Sequence, residues 1–185
     1  QYPQTWVKRD DLYSEYVTLL NLLGEYKNAY NMIMKRKIHP WEGGEGKVST
    51  QYEYALVELA KQDLAANQVQ DAISKLQQAL TYPRSLGEGK LPIAVDNIIN
   101  YYLGLAFKAS GDADQAKERF EKATGGLSEP TDMMYYNDQP PETIFYQGLA
   151  LLKLNDTNGA NSRFHKLIAF GEKHIYDTVK IDYFA

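Results

Sequence analysis

The sequence contains no cysteine and no long apolar run. Without cysteine there is no disulfide framework, no thiol nucleophile and no zinc site built on sulfur. No stretch approaches the roughly eighteen consecutive apolar residues of a transmembrane helix, and the mean hydropathy is -0.50. We therefore exclude a membrane span in this sequence.

Charge and histidine are also limited. Lys and Arg total 20 against 24 Asp and Glu, which gives a net charge of -4, so neither nucleic acid nor an anionic membrane is an expected partner. His165 and His174 are nine residues apart, which is not the i, i+4 spacing of a helical metal pair. No nucleophile elbow or dinucleotide fingerprint is present. We expect no catalytic residue, no metal and no cofactor.

The termini do not resemble those of a complete protein. The chain of 185 residues starts at Gln1 without an initiator Met or a targeting segment. It ends inside an apolar-periodic run at 176–185, which predicts the start of a further helix. We expect a fragment of a longer protein, with a cytoplasmic location as the default assumption. Without a capping helix, an apolar C-terminal face around Ile181, Tyr183 and Phe184 is expected to be exposed. This predicts concentration-dependent self-association, measurable by light scattering.

Internal repetition is the main signal. A small residue on a first helix recurs at Val17, Ala60, Gly104 and Gly148, at spacings of 43, 44 and 44. A Gly- or Asn-containing turn and a second helix follow each copy. The pattern predicts repeats at about 10–38, 50–83, 94–126 and 141–174 within one domain. The expected helices are 10–23, 26–37, 50–66, 69–82, 94–110, 113–125, 141–154 and 157–174.

These repeats resemble the tetratricopeptide repeat. Gly104 and Gly148 stand where the first helix of such a repeat admits the backbone of its partner, and Ala116 and Ala160 are the matching small residues. Gly111 and Asp112 supply a left-handed helix end and a capping carboxylate. The resemblance implies an all-α fold, a right-handed superhelix of tetratricopeptide-like helix pairs (an α-solenoid). The repeat is ten residues longer than the usual 34, which predicts extended inter-repeat loops.

Two of these loops share a motif, Gly-Glu-Gly-Lys at 44–47 and 87–90. A phosphate-binding loop would need Gly at Trp41 and Ser or Thr at Val48, so that function is excluded. A structural return loop is the first interpretation. The alternative is that the loops also contact a ligand, through His39, Trp41, Glu45, Lys47, Glu88 and Lys90.

The concave face of such a superhelix is the second candidate surface. In a right-handed stack the first helices line this face. Their register predicts a groove with an aromatic ladder and lysines at its edge, which suits a peptide or helix. The residues predicted to line it are Tyr54, Val57, Lys61, Tyr101, Leu105, Lys108, Phe145 and Leu149.

Several longer motifs resemble a more specific family. They are His-Pro-Trp-Glu-Gly-Gly-Glu-Gly-Lys at 39–47, Leu-Gly-Glu-Gly-Lys-Leu-Pro at 86–92 and Lys-Ile-Asp-Tyr-Phe-Ala at 180–185. Together they look like the C-terminal tetratricopeptide-repeat region of large bacterial proteins with the domain of unknown function DUF5107. That resemblance implies a carbohydrate-related context and brings no established activity.

Two functions follow from these patterns. The first is a non-catalytic scaffold that binds a protein segment, or other domains of the same parent chain, through its groove and Gly-Glu-Gly-Lys loops. The second is a carbohydrate-recognition or catalysis-supporting module of a parent resembling carbohydrate-active enzymes, with Trp41, Tyr135 and Tyr136 as stacking faces for sugars.

Overall fold

A computed structural model describes residues 8–133, 135 and 137–178. Over these residues the chain forms eight α-helices, one short 3-10 turn (Arg84–Leu86) and no strand, so the all-α prediction is confirmed for this part. The helices are α1 (Asp10–Leu22), α2 (Tyr26–Met34), α3 (Lys47–Ala65), α4 (Val69–Ala79), α5 (Asn97–Ala109), α6 (Ala113–Ala123), α7 (Glu142–Lys153) and α8 (Thr157–His174).

Tight turns join the helices into four pairs. Each turn has one residue in the left-handed region, namely Gly24, Asn67, Gly111 and Asn155, with φ between 58 and 85°. In the third and fourth pairs an aspartate then caps the second helix. The Asp112 carboxylate accepts a hydrogen bond from the backbone N–H of Gln115, and Asp156 does so from that of Gly159. The predicted left-handed end at Gly111 and cap at Asp112 are confirmed.

The pairs pack against one another in chain order. In the first three pairs the second helix contacts both its own first helix and the first helix of the next pair, as α2 contacts α1 and α3. The first helices also contact one another along the series α1, α3, α5 and α7. One buried apolar cluster extends from Tyr13 to Ala106, and a second joins α5, α6 and α7 around Phe120.

The glycines of the first helices make room for aromatic rings. A Cβ atom on Gly104 would lie 2.5 Å from the ring of Phe120, and one on Gly148 would lie 2.3 Å from the ring of Phe164. The expectation that these glycines admit the backbone near Ala116 and Ala160 therefore needs correction. Both alanines are buried, but a ring from one turn further along the second helix is what occupies the space.

The small position of each first helix has a counterpart sixteen residues later, on the second helix of the same pair. The residue sixteen positions after the small one is Ile33, Leu76, Phe120 or Phe164. It is the larger phenylalanine where the first position is glycine, and an aliphatic residue where the first position is Val17 or Ala60. Close-packed interiors conserve total volume in this way.

The predicted helix at 176–185 lies mostly outside the described residues. Residues 175 and 176 form a turn, and 177 and 178 are not helical. The apolar face expected around Ile181, Tyr183 and Phe184 also lies outside the described part of the chain.

We predict that Gly104→Ala lowers the free energy of unfolding by about 1 to 3 kcal/mol, because the buried Phe120 ring leaves no room for a methyl group. Without this contact, alanine in a helix would stabilise by up to about 1 kcal/mol. Gly171→Ala, in open space on α8, is the matched control and should be neutral or stabilising. Urea denaturation followed by circular dichroism measures both.

The double variant Gly104→Ala/Phe120→Leu reproduces the combination that the second pair carries at Ala60 and Leu76. Its loss in free energy of unfolding should be smaller than the sum of the losses of the two single variants, because the smaller leucine side chain vacates the space that the methyl group needs. Strict additivity would contradict the volume exchange.

Candidate partner-binding surface

An aromatic surface runs across the first helices α3, α5 and α7. Lys61 Nζ lies 5.6 Å from the ring centroid of Tyr102, and Tyr102 lies 6.1 Å from Tyr146. Tyr146 in turn contacts Phe145 at 5.5 Å. We call this surface the aromatic face; its residues are Tyr54, Lys61, Tyr102, Leu105, Phe145, Tyr146 and Leu149.

Rings from the second helices support this face from behind. Tyr54 packs edge-on against Tyr26 of α2 at 6.0 Å, and Phe145 contacts Phe164 of α8 at 5.9 Å. Tyr54 and Phe145 nevertheless stay 44% exposed. Edge-to-face and tilted contacts of this kind hold rings in fixed orientations. The two rings are therefore held by their neighbours and remain partly exposed to solvent.

The electrostatics of the face are simple. Burial raises the pKa of Tyr146 to about 12, with Tyr102 adding to the effect, so its hydroxyl stays protonated at neutral pH. Burial lowers the pKa of Lys61, but its hydrogen bond to Glu58 at 2.6 Å and the nearby Tyr102 outweigh this, and the net shift is upward. The aromatic face is thus neutral except for one lysine–glutamate pair.

Two of the residues predicted for the groove are not accessible. Val57 is 6% exposed and Tyr101 is 8% exposed, so neither presents a surface to a ligand. Tyr101 is enclosed by Tyr102, Tyr146 and Phe120, at centroid distances of 5.4, 5.9 and 6.0 Å. Lys61, Leu105 and Leu149 are half-buried on the face, and Lys108 is exposed at the end of α5.

The residues that replace them are Tyr102 and Tyr146, which sequence reasoning missed. They lie two positions before Gly104 and Gly148, so they occupy the same position in successive repeats. Glu58 occupies that position before Ala60. Their common position could have been found from the repeat spacing. The prediction of the groove missed it because it considered only every third or fourth residue of each first helix.

The second Gly-Glu-Gly-Lys motif is bound within the protein. The Glu88 carboxylate accepts hydrogen bonds from the backbone N–H groups of Gly46 and Ser49, at 3.0 and 3.3 Å. It thereby caps the start of α3, where Gly46 is the N-cap. The backbone of the two loops also joins directly, since Ile38 N–H donates to the Ser85 carbonyl at 2.8 Å.

Lys90 from the same motif closes a partly buried ionic cluster. Its ammonium group lies 2.7 Å from Glu53 of α3 and 2.5 Å from Asp96, and it is 14% exposed. The Tyr82 hydroxyl donates to Glu53 at 2.9 Å. Because Glu88 and Lys90 are already paired, the prediction that they contact a ligand needs correction: this motif joins α3 to the loop that precedes α5.

The first motif is more accessible. Glu45 and Lys47 line a cavity of about 330 Å³ with Ser14 and Thr18 of α1. Lys47 is 3.9 Å from Glu15, both exposed, and a surface pair at this distance contributes little.

His39 and Trp41, in the same loop, have local structural contacts. His39 is held at the start of α1, where its backbone N–H donates to Asp10 at 2.9 Å. Trp41 is half-buried over Gly44, where a Cβ atom would lie 2.1 Å from the indole ring. Tyr135 is exposed, and Tyr136 lies outside the described residues.

Within the described ranges, no three His, Asp or Glu side chains come together in a way that could hold a metal ion. None of the helices in these ranges is long and apolar enough to cross a membrane.

We predict that Lys90→Met destabilises the fold by about 3 to 5 kcal/mol at neutral pH, because Glu53 and Asp96 lose the cation between them. Burial already raises the pKa of Glu53, and Lys90 opposes that shift. The Lys90→Met variant should raise the pKa of Glu53 further. The loss should therefore be small below the ordinary carboxyl pKa, where Glu53 is protonated in both the folded and unfolded states, and should grow as pH rises towards the raised folded pKa.

Urea denaturation at a series of pH values measures this loss. The double variant Glu53→Gln/Lys90→Met is the control, since it removes the Glu53 carboxyl and should reduce the pH dependence, although Asp96 still loses the cation. A Lys90→Met deficit that stays constant across the carboxyl range would contradict the proposed role of Glu53.

Among solved structures, the chain is similar to one described as "MamA RS-1 ArsTM double mutant". The two share 16% sequence identity, the match covers 91% of this chain and 78% of that chain, and the TM-score is 0.40.

A family model also matches residues 45–157, from the first Gly-Glu-Gly-Lys motif to the first residue of α8. This is more than half of the chain. The model describes the plant specific mitochondrial import receptor subunit TOM20. The resemblance to a bacterial DUF5107 repeat region is therefore wrong, and the carbohydrate-related context is withdrawn with it. An import receptor binds proteins and is not an enzyme, which confirms the prediction that this chain is non-catalytic. The chain belongs to the plant-specific mitochondrial import receptor subunit TOM20 family.

Proposed function

We propose that this chain is the protein-binding region of a mitochondrial import receptor subunit, and that the aromatic face holds a segment of the protein to be imported. The family match supports the receptor role. The observation that carries the choice of surface is the continuous contact across three first helices, from Lys61 of α3 over the ring of Tyr102 on α5 to Tyr146 on α7.

The four helix pairs form a right-handed superhelix in this proposal. Support comes from the same contacts recurring at each step: first helix to second, second to the next first, and first to first. Repeats that stack by one fixed rotation generate a superhelix with a concave side. The repeats 10–38, 50–83, 94–126 and 141–174 then fold as one domain, and the first helices place the aromatic face on the concave side.

The chemistry of the aromatic face selects one kind of ligand. Its exposed rings offer apolar contact area, and its one lysine is already paired with Glu58. An amphipathic helix that lays its apolar side chains into the groove fits this surface. Half-exposed rings fixed by neighbours bind at low entropic cost, as hot-spot residues do. We therefore place Tyr54 and Phe145 as the main contacts.

We predict that Phe145→Ala and Tyr54→Ala each weaken binding of such a peptide by about tenfold, which corresponds to about 1.4 kcal/mol. The probe is a fluorescently labelled peptide with one apolar helical face, taken from a protein imported into mitochondria. Fluorescence anisotropy measures the dissociation constant. A second peptide with the apolar face changed to serine and the charges kept should bind at least tenfold more weakly.

Ile168→Ala is the matched control, since Ile168 is a large exposed apolar residue on α8. It should leave the dissociation constant unchanged. Equal losses for Ile168→Ala and Phe145→Ala, or equal binding of both peptides, would contradict the assignment of the aromatic face. Binding only to a segment of the same parent chain would instead make this a docking surface between domains.

A further inference from the structure

A second pocket lies between the third and fourth helix pairs. It has a volume of about 300 Å³, and three lysines line it from three different helices: Lys108 of α5, Lys117 of α6 and Lys153 of α7. The apolar lining consists of Ala113, Ala116, Phe120 and Leu154. The pocket is therefore a basic rim around an apolar floor, unlike the largely neutral aromatic face.

The charges of this rim are not balanced within the protein. Lys117 lies 3.8 Å from Glu121, both exposed, which is a weak pair. In the part of the chain that the structure describes, no carboxylate lies within ion-pair distance of Lys108 or Lys153. Ammonium groups gathered at one pocket in a chain of net charge -4 form a local field that attracts an anion.

The apolar floor of the pocket determines which side chain of the ligand must lie next to its anionic group. Ala116 and Phe120 are each 4% exposed and belong to the apolar cluster that joins α5, α6 and α7. The pocket volume is at the lower end of the range for ligand sites, so it accommodates one or two side chains. A ligand that places a large apolar side chain on this floor and a carboxylate next to the lysines of the rim matches both features.

We propose that this pocket binds an acidic–apolar segment of a protein partner, in which a large apolar side chain is flanked by Asp or Glu. The site goes beyond the proposed function, because its lining contains no residue of the aromatic face and it selects the opposite charge from a basic or neutral amphipathic helix. It gives the chain a second protein contact that an imported segment does not occupy.

Fluorescence anisotropy with three labelled peptides tests this proposal. One has a Glu-Leu-Phe-Glu core, the second replaces both glutamates with glutamine, and the third replaces Leu-Phe with Ser-Ser. The first should bind at least about tenfold more tightly than either of the others, and its affinity should fall as salt is added. Equal binding of the first and third peptides would mean that charge attraction alone accounts for the affinity, without an apolar contact, and would overturn the proposal.

The double variant Lys108→Gln/Lys153→Gln should weaken binding of the first peptide by about tenfold. The matched control is Lys35→Gln/Lys173→Gln, which removes the same charge from two other exposed lysines and should stay within about twofold of the original chain. Neither variant should change binding to the aromatic face, so failure of this site and failure of the proposed function are distinguishable.

Lys108 and Lys153 also lie in the last turns of α5 and α7, where a cation offsets the helix dipole. Because the variant could lose stability for that reason, chemical shifts of Leu154 and Phe120 in the unmodified chain provide a second measurement. Both should move as the first peptide is added. No shift at either residue, or displacement of the peptide by inorganic phosphate or phosphatidylserine vesicles, would overturn the peptide assignment.

Discussion

The whole stack depends on how one residue of each first helix accommodates one residue of the second. In the last two pairs a glycine receives a phenylalanine ring, Gly104 with Phe120 and Gly148 with Phe164. This contact sets the distance between the two helices of a pair. In the third pair it also places the Phe120 ring in the apolar cluster against which α7 of the next pair packs. The spacing of successive first helices, and hence the aromatic face, follows from it.

The sequence predicted helix positions best where the local chemistry was explicit. The second helices begin at residues 26, 69, 113 and 157, as predicted, because each follows a tight turn marked by Gly or Asn. After the longer loops, α3 and α5 begin three residues away from their predicted starts, and α7 begins one residue away. The start of α3 follows Gly46, which lies in the left-handed region, and it is capped by Glu88 from a distant loop, a contact that helical periodicity does not predict.

The binding surface was predicted less well, for a related reason. Helical register identifies which residues share a side of a helix, but burial depends on the neighbours. Tyr101 is covered by Tyr146, which lies 45 residues away in sequence. Lys90, in the loop before α5, likewise meets Glu53 of α3, 37 residues away in sequence. The family assignment failed because it relied on short glycine-rich loop motifs, whereas the matching family model spans five helices and their turns.

The capping of α3 by Glu88 has a consequence for the order of folding during synthesis. A ribosome delivers residue 46 more than forty residues before residue 88, so α3 emerges with its first N–H groups unpaired. They are satisfied only after α4 and the following loop have left the exit tunnel. The second helix pair is therefore expected to be completed together with the loop that follows it, rather than as an isolated hairpin.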